Sequence, residues 1–331
     1  MSQAGRQRRL KNILAAAAAA VALTASAAAQ SGAAPEGARR EAERLHAAGL
    51  AYADRGRYEE AVEALKRAVR IAPAYALAHN DLGYVYHSSG RHSEAVKSYL
   101  EAIRLKGDYA LAFNNLGLAY GAAGDYESAV GALRQAVRIK GDYAAAFYNL
   151  GVTYYKKGAV AEAVESLGQA IRHHPAHADA HLSLGVIYSE QGRYDEAIAA
   201  LGRAAALRPG SAPILKSLGL AHQNSGRTLE AIDAYRRALD AAPDAEVYNN
   251  MGVAYDSLDR RPEAVECFRM AVALSPRYAE AYYNMGVAYL RAGERGEALK
   301  QYASLKTFAP ELAAGLFRLL HRDQVIAATH E

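Results

Sequence analysis

One cysteine in 331 residues, Cys267, excludes an intrachain disulfide, so the fold must hold by packing alone. The thiol is expected to be buried and inert, because it sits beside Phe268 in a predicted helix with no cationic neighbourhood to activate it. An excess of one charge is lacking as well. Arg6, Arg8, Arg9 and Lys11 are the only charges in residues 1–29, and beyond them basic and acidic side chains number 35 each. A neutral body has no electrostatic footprint for a phosphate backbone, which excludes nucleic acid as an expected partner. Catalytic signatures are missing too. There is no G-x-x-x-x-G-K-[ST] loop, G-x-G-x-x-G turn, G-x-S-x-G elbow or H-E-x-x-H helix. Paired carboxylates such as Glu59-Glu60 and Asp195-Glu196 open predicted helices, where they suit the positive helix N-terminus rather than acid–base work. Neither an enzyme, nor a cofactor, nor a small-molecule substrate is expected.

A strongly apolar run, Ile13 to Leu23, follows the basic residues and precedes Ala27-Ala28-Ala29 and Gln30. That order predicts a signal peptide over residues 1–29, cleaved on export to a bacterial periplasm or cell envelope. An uncleaved anchor is the alternative, although the run is short for a span of about 20 residues. A transit peptide is a third reading, since the segment is Arg-rich and free of acids. No cysteine follows the run, so a lipoprotein is not supported. Residues 30–41, rich in Gly, Ala and Pro, read as a flexible linker.

From there the chain repeats. Glycines at 49, 83, 117, 151, 185, 219, 252 and 286 are 34 residues apart, once 33, and each is followed twelve residues later by alanine, Ala61 to Ala298. A period in this range marks a stacked solenoid, which usually presents a long binding surface rather than a cleft. In residues 76–109, His79, Leu82, Gly83 and Tyr86 share one helical face, and Ala95, Tyr99 and Ala102 share another, with Gly90 as the turn. Each unit is therefore a hairpin of helix A and helix B. Pro73, Pro175, Pro209, Pro243, Pro276 and Pro310 stop helix B, while Gly107 and Gly141 take that slot in two repeats, where a left-handed cap is expected. A glycine inside helix A costs about 0.5–1 kcal/mol relative to alanine, so close approach of a helix B must offset it, with the alanine as the matching small surface.

Repeat 279–312 carries Tyr282, Met285-Gly286, Tyr289, Ala298, Tyr302 and Pro310; repeat 42–75 carries Leu45, Gly49, Tyr52, Ala61, Leu65, Ala68 and Pro73. This pattern resembles the tetratricopeptide repeat family over eight units, 42–75, 76–109, 110–143, 144–177, 178–211, 212–244, 245–278 and 279–312. Two departures are the missing tryptophan, with Leu, His, Phe or Tyr at the fourth position, and Asp259 in place of a turn glycine. The resemblance implies an all-α, right-handed superhelical solenoid whose concave wall is lined by the A helices. Leu312, Leu316, Leu319 and Leu320 recur at helical spacing and predict a capping amphipathic helix over 311–327, within a last segment, 313–331, of cap and tail.

In the family, the sixth position of helix A commonly faces the groove. Here it reads Ala47, Asp81, Asn115, Asn149, Ser183, Ser217, Asn250 and Asn284. The column resembles the asparagine ladder in the repeats of O-GlcNAc transferases, which holds an extended peptide by its backbone; an amide offers both a donor and an acceptor for this. Asn115, Asn149, Asn250 and Asn284 are the candidate peptide-binding residues, with a solvated family residue as the plain alternative. Tyr84, Tyr148, Tyr155 and Tyr283 are further candidates, as broad contact surfaces with a polar tip, against plain packing between A helices. Lys156, Lys216 and Arg291 do not sit at the positions of a carboxylate clamp. His173, His174, His177 and His181 are dense enough to suggest a metal, but Pro175 divides them and His181 occupies the bulky fourth position, so structural roles are expected and no metal site.

The expected function is a non-enzymatic scaffold that holds a peptide or partner protein in its groove at the cell envelope. A substrate-recognition subunit for a separately encoded transferase or peptidase is the second reading, and a structural part of an envelope complex the third.

Overall fold

The computed structural model describes residues 36–321, and all regular structure among them is helical. The predicted leader, residues 1–29, and the tail from 322 onward lie outside the described residues. Two compact units divide the chain between Pro175 and Ala176. In the first, four hairpins run α1 (Glu36–Ala53), α2 (Tyr58–Ile71), α3 (Ala76–Ser88), α4 (His92–Leu105), α5 (Ala110–Ala122), α6 (Tyr126–Ile139), α7 (Ala144–Lys157) and α8 (Val160–His173). In the second, four more run α9 (Ala178–Glu190), α10 (Tyr194–Leu207), α11 (Ala212–Asn224), α12 (Thr228–Ala241), α13 (Ala245–Ser257), α14 (Arg261–Leu274), α15 (Ala279–Arg291) and α16 (Arg295–Phe308), closed by α17 (Pro310–Leu320). Odd-numbered helices up to α15 are the A helices. Within each unit, every B helix packs on the A helix that follows it, and neighbouring A helices touch. None of the described helices is long and apolar enough to cross a membrane.

Two boundaries differ from the sequence reading. Helix α1 begins at Glu36, inside the segment expected to be a linker, because Glu36, Arg40, Arg39 and Glu43 form ion pairs one turn apart on its first turns. The terminal helix starts at Pro310, where a missing N–H costs nothing, and ends at Leu320.

The hairpin turns are set by left-handed backbone. Gly56, Gly90, Gly124, Gly158, Gly192, Gly226 and Gly293 have φ between 71° and 84°, and Asp259 holds the same turn at φ 60°. An arginine after the turn then ties the two helices together. Arg57, Arg91, Arg193 and Arg260 lie over Tyr52, Tyr86, Tyr188 and Tyr255 at 4.3–4.7 Å and pair with Glu60, Glu94, Glu196 and Glu263. At the far end of helix B one expectation fails. Gly107 and Gly141 are not among the glycines of positive φ; the turn is made by extended Lys106 (φ −138°) and Lys140 (φ −124°) just before them. Proline imposes that same extended conformation on the residue before it, so either residue serves the slot without a left-handed cap.

The helix A glycine is tight for a different reason from the one expected. In seven hairpins its nearest neighbour is the side chain sixteen residues on, and the alanine twelve residues on joins the contact at four of them through its carbonyl oxygen. A Cβ on Gly151 would stand 2.7 Å from Leu167 Cγ and 3.1 Å from the Ala163 carbonyl oxygen. Tyr99, Tyr235 and Phe268 lay their rings on Gly83, Gly219 and Gly252 in the same way. Ala61, Ala95, Ala129, Ala163, Ala197, Ala231, Ala264 and Ala298 are all fully buried, and at Gly49, Gly117, Gly151 and Gly185 the alanine contributes its backbone to the seat. In the last hairpin the seat over Gly286 is taken by Leu316 of α17, which is how that helix closes the unit. Cys267 is buried in the core, and burial pushes its thiol up to about 12, so it stays protonated.

Glycines that share helical geometry but not this seat should behave oppositely. Gly151→Ala is expected to destabilise the protein, and Gly151→Leu to cost about 1–3 kcal/mol or more through overpacking. Gly168 in helix α8 has nothing within 4 Å of its added Cβ, so Gly168→Ala should stabilise by about 0.5–1 kcal/mol. Thermal melts of the three variants check the pair of signs.

Candidate functional site

Helical spacing puts the second, sixth and ninth residues of each A helix on one face. In the first unit this face carries Leu77, Asp81 and Tyr84 on α3, then Leu111, Asn115 and Leu118 on α5. Leu77, Leu111 and Leu118 are exposed, and Tyr84 is the most exposed of the four candidate tyrosines at 52%. Tyr148 and Tyr155 are half-buried in the same unit. Tyr283, in the second unit, is half-buried beside α17: a Cβ on Gly315 would meet its Cε2 at 3.4 Å. The leucines were not among the residues singled out from the sequence, which were the amides and tyrosines. Their signal was a spacing of seven, Leu77 with Tyr84 and Leu111 with Leu118, off the stripe that holds Leu82 and Leu116.

The polar column does more than line a face. Asn115 Nδ2 donates to Asn80 Oδ1 at 3.2 Å, and Asn149 Nδ2 donates to Asn114 Oδ1 at 2.9 Å. Each bond joins the sixth residue of one A helix to the fifth residue of the previous one. Along each helix the two positions are joined sideways, Asn80 Nδ2 to Asp81 Oδ1 at 2.9 Å and Asn114 Nδ2 to Asn115 Oδ1 at 3.3 Å. His46 Nε2 meets Asp81 Oδ2 at 2.6 Å, and Tyr75 Oη meets His46 Nδ1 at 3.2 Å. A hydrogen-bonded line therefore runs Tyr75, His46, Asp81, Asn80, Asn115, Asn114, Asn149 across all four hairpins. Asn80 and Asn114 are buried, and burial makes a satisfied amide network worth keeping whole.

The second unit repeats the device over one step. Asn284 Nδ2 donates to Asn249 Oδ1 at 2.9 Å, and Asn249 Nδ2 reaches Asn250 Oδ1 at 3.5 Å. Its wall is otherwise charged. Lys216 pairs with Glu246 and lies 3.6 Å from Asp244, and Arg291 pairs with Asp256. Those two cations are thus neutralised within the chain, while Lys156 is exposed in the first unit.

An amide that gives one N–H to its neighbour keeps a second N–H and spare acceptor capacity. Asn115 and Asn149, both half-buried, retain that capacity toward a ligand. What the arrangement can do chemically is to offer paired donors and acceptors between two apolar margins. Among the described residues no group of three or more His, Cys, Asp or Glu side chains is placed to hold a metal ion; His173 stacks on Phe147, ring centroids 5.5 Å apart and planes 16° apart.

Comparisons with known proteins follow the repeat. Residues 49–90, 83–124, 122–158 and 260–293 match a family model described as TPR repeat. Models described as Tetratricopeptide repeat match 160–212, 188–246 and 216–276, then 144–175, then 280–311. No curated protein matches the chain. Among solved structures, a tetratricopeptide repeat protein from Parabacteroides merdae is similar at TM-score 0.54 and 18% identity, over 75% of this chain and 99% of that one. The pilF protein of Pseudomonas aeruginosa is similar at TM-score 0.54 and 22% identity, over 65% and 99%. The APC/C hetero-tetramer Cut9–Hcn1 is similar at TM-score 0.53 and 18% identity over 80% of this chain and 52% of the other, so this chain spans about half that neighbour's length. These likenesses concern the fold.

The line of amides should behave as a coupled element. Asn149→Ala leaves the buried Asn114 carbonyl without its donor and is expected to cost about 1–3 kcal/mol. A double-mutant cycle of Asn114→Ala and Asn149→Ala in denaturant unfolding should return a coupling of about 0.5–1.5 kcal/mol. A coupling of zero would mean that the bond does not persist in solution.

Proposed function

We propose, from the premise that this chain is built of tetratricopeptide repeats, that it is a non-enzymatic scaffold holding an extended segment of a partner protein along the A-helix wall of its first unit. Proteins of these repeats generally serve protein interaction, and the fold is typically non-catalytic. One observation carries the reading: exposed Leu77, Tyr84, Leu111 and Leu118 border a column of Asp81, Asn115 and Asn149. A peptide backbone needs alternating donors and acceptors, and its side chains need apolar ground on either hand. The wall supplies both, without a charge pattern that would restrict the peptide's sequence.

The asparagine column also supports the second reading, a substrate-recognition subunit for a separately encoded transferase or peptidase, in the manner of the O-GlcNAc transferase repeats that the column resembles. The two readings share a surface and differ in the guest. A photo-crosslinking residue at Leu118 in the full chain should yield an adduct in envelope extract that Tyr84→Ala with Leu111→Ala removes, with helical circular dichroism unchanged. Adducts that survive the double substitution would refute the wall as the binding surface. An adduct with a transferase or peptidase would select the second reading.

Export to the cell envelope rests on the basic, apolar and Ala-rich order of residues 1–29. The mature chain is then expected to begin at Gln30, which intact mass of protein recovered from the periplasm measures. A full-length mass in the membrane fraction would identify an uncleaved anchor instead.

A further inference from the structure

A cationic seat recurs where one hairpin meets the next. At four of the seven junctions the residue at the twenty-fifth position of a repeat is a cation that reaches the tyrosine at the eleventh position of the following one; Leu100 and Gly168 hold that place at two others. Arg236 Nη2 donates to Tyr255 Oη at 3.3 Å, and Arg269 Nη2 donates to Tyr289 Oη at 3.1 Å. Arg134 lies over the Tyr154 ring at 5.7 Å, and Lys66 reaches Tyr86. Between the fifth and sixth repeats both partners are replaced, Gly202 standing in register for the cation and His222 for the tyrosine. Nothing lies within 4 Å of where a Gly202 Cβ would be.

A pocket of about 390 Å³ opens beside His222, lined also by Leu218, Leu229, Glu230, Asp233, Ala234 and Arg237. Two carboxylates against one guanidinium leave its lining acidic, and Arg237 touches Asp233 only at 3.8 Å. His222 Nδ1 is buried without a hydrogen-bond partner among the described residues. Leu229, 64% exposed, stands on the rim as an apolar surface for an aliphatic stem.

We infer that this pocket takes one arginine side chain of a partner protein or peptide, which supplies in trans the cation that four other junctions supply from within. The guanidinium would lie against His222 with Glu230 and Asp233 as its counter-charges, and its methylenes against Leu218, Leu229 and Ala234. Burial, the largest influence on His222, lowers its pKa, so near neutral pH the imidazole carries no charge to oppose the guest. A bidentate planar fork suits two neighbouring carboxylates better than an ammonium does. This inference concerns the second unit and does not depend on the peptide wall of the first.

The test uses the full chain and N-acetyl-arginine-amide as the probe, with the citrulline analogue as the uncharged isostere. The His222 imidazole resonances should move on titration with the arginine probe and stay in place with citrulline. Gly202→Arg should fill the seat from within, raise the melting temperature and abolish the response, whereas Gly202→Ala should leave the response intact. An unmoved His222, equal shifts with citrulline, or a response that persists in Gly202→Arg would each overturn the inference.

Discussion

The structure depends on seven places where helix B has no room to stand back from helix A, and an eighth where α17 takes its place. A side chain, usually the one sixteen residues on, rests on a bare glycine, so that the two backbones approach closely enough to bury the alanine rows. The intrinsic cost of glycine in a helix is offset only because a Leu, Tyr or Phe fills the space that its missing Cβ leaves. Everything the A helices display outward is positioned by that inward contact. Within each unit the faces at the second, sixth and ninth residues follow one another because neighbouring A helices touch and each is set by the seat behind it.

Much of this was legible from the period alone. Length of the unit, number of hairpins, the turn glycines and the terminal helix all follow from spacing, because a 34-residue step leaves one way to bury two amphipathic faces. What the spacing did not show were relations that cross columns. The glycine's nearest side chain sits sixteen residues away, whereas the regular alanine at twelve meets it only through its backbone. Asn115 and Asn149 stood out at the sixth position, while their acceptors, Asn80 and Asn114, stand at the fifth and are separated from them by 35 residues. Leu77 and Leu118 carry no polar signal of their own, and their exposure follows only from the face they share with the amide column. Gly107 and Gly141 misled for the opposite reason: glycine permits a left-handed turn without requiring one.

The two units use one scaffold for different surfaces. The first unit offers a largely neutral wall of amides and exposed leucines, tied by an unbroken line of hydrogen bonds. In the second, Lys216 and Arg291 are locked by Glu246 and Asp256, and the amide line shrinks to a single step. The difference comes from substitutions at two or three helix positions, which leave the seats and turns untouched. That separation of framework from display is what a repeat architecture permits, since each hairpin needs only its neighbours for stability.

The amide line also limits how such a chain can change in length. In the first unit the third hairpin carries both halves of the bond, the acceptor Asn114 and the donor Asn115, while the second supplies the acceptor Asn80 and the fourth the donor Asn149. That third hairpin can be copied or deleted whole and the halves still meet. Removing or inserting part of a hairpin shifts the phase and strands a buried amide on both sides of the cut. Growth by complete modules is therefore the route that costs this molecule least.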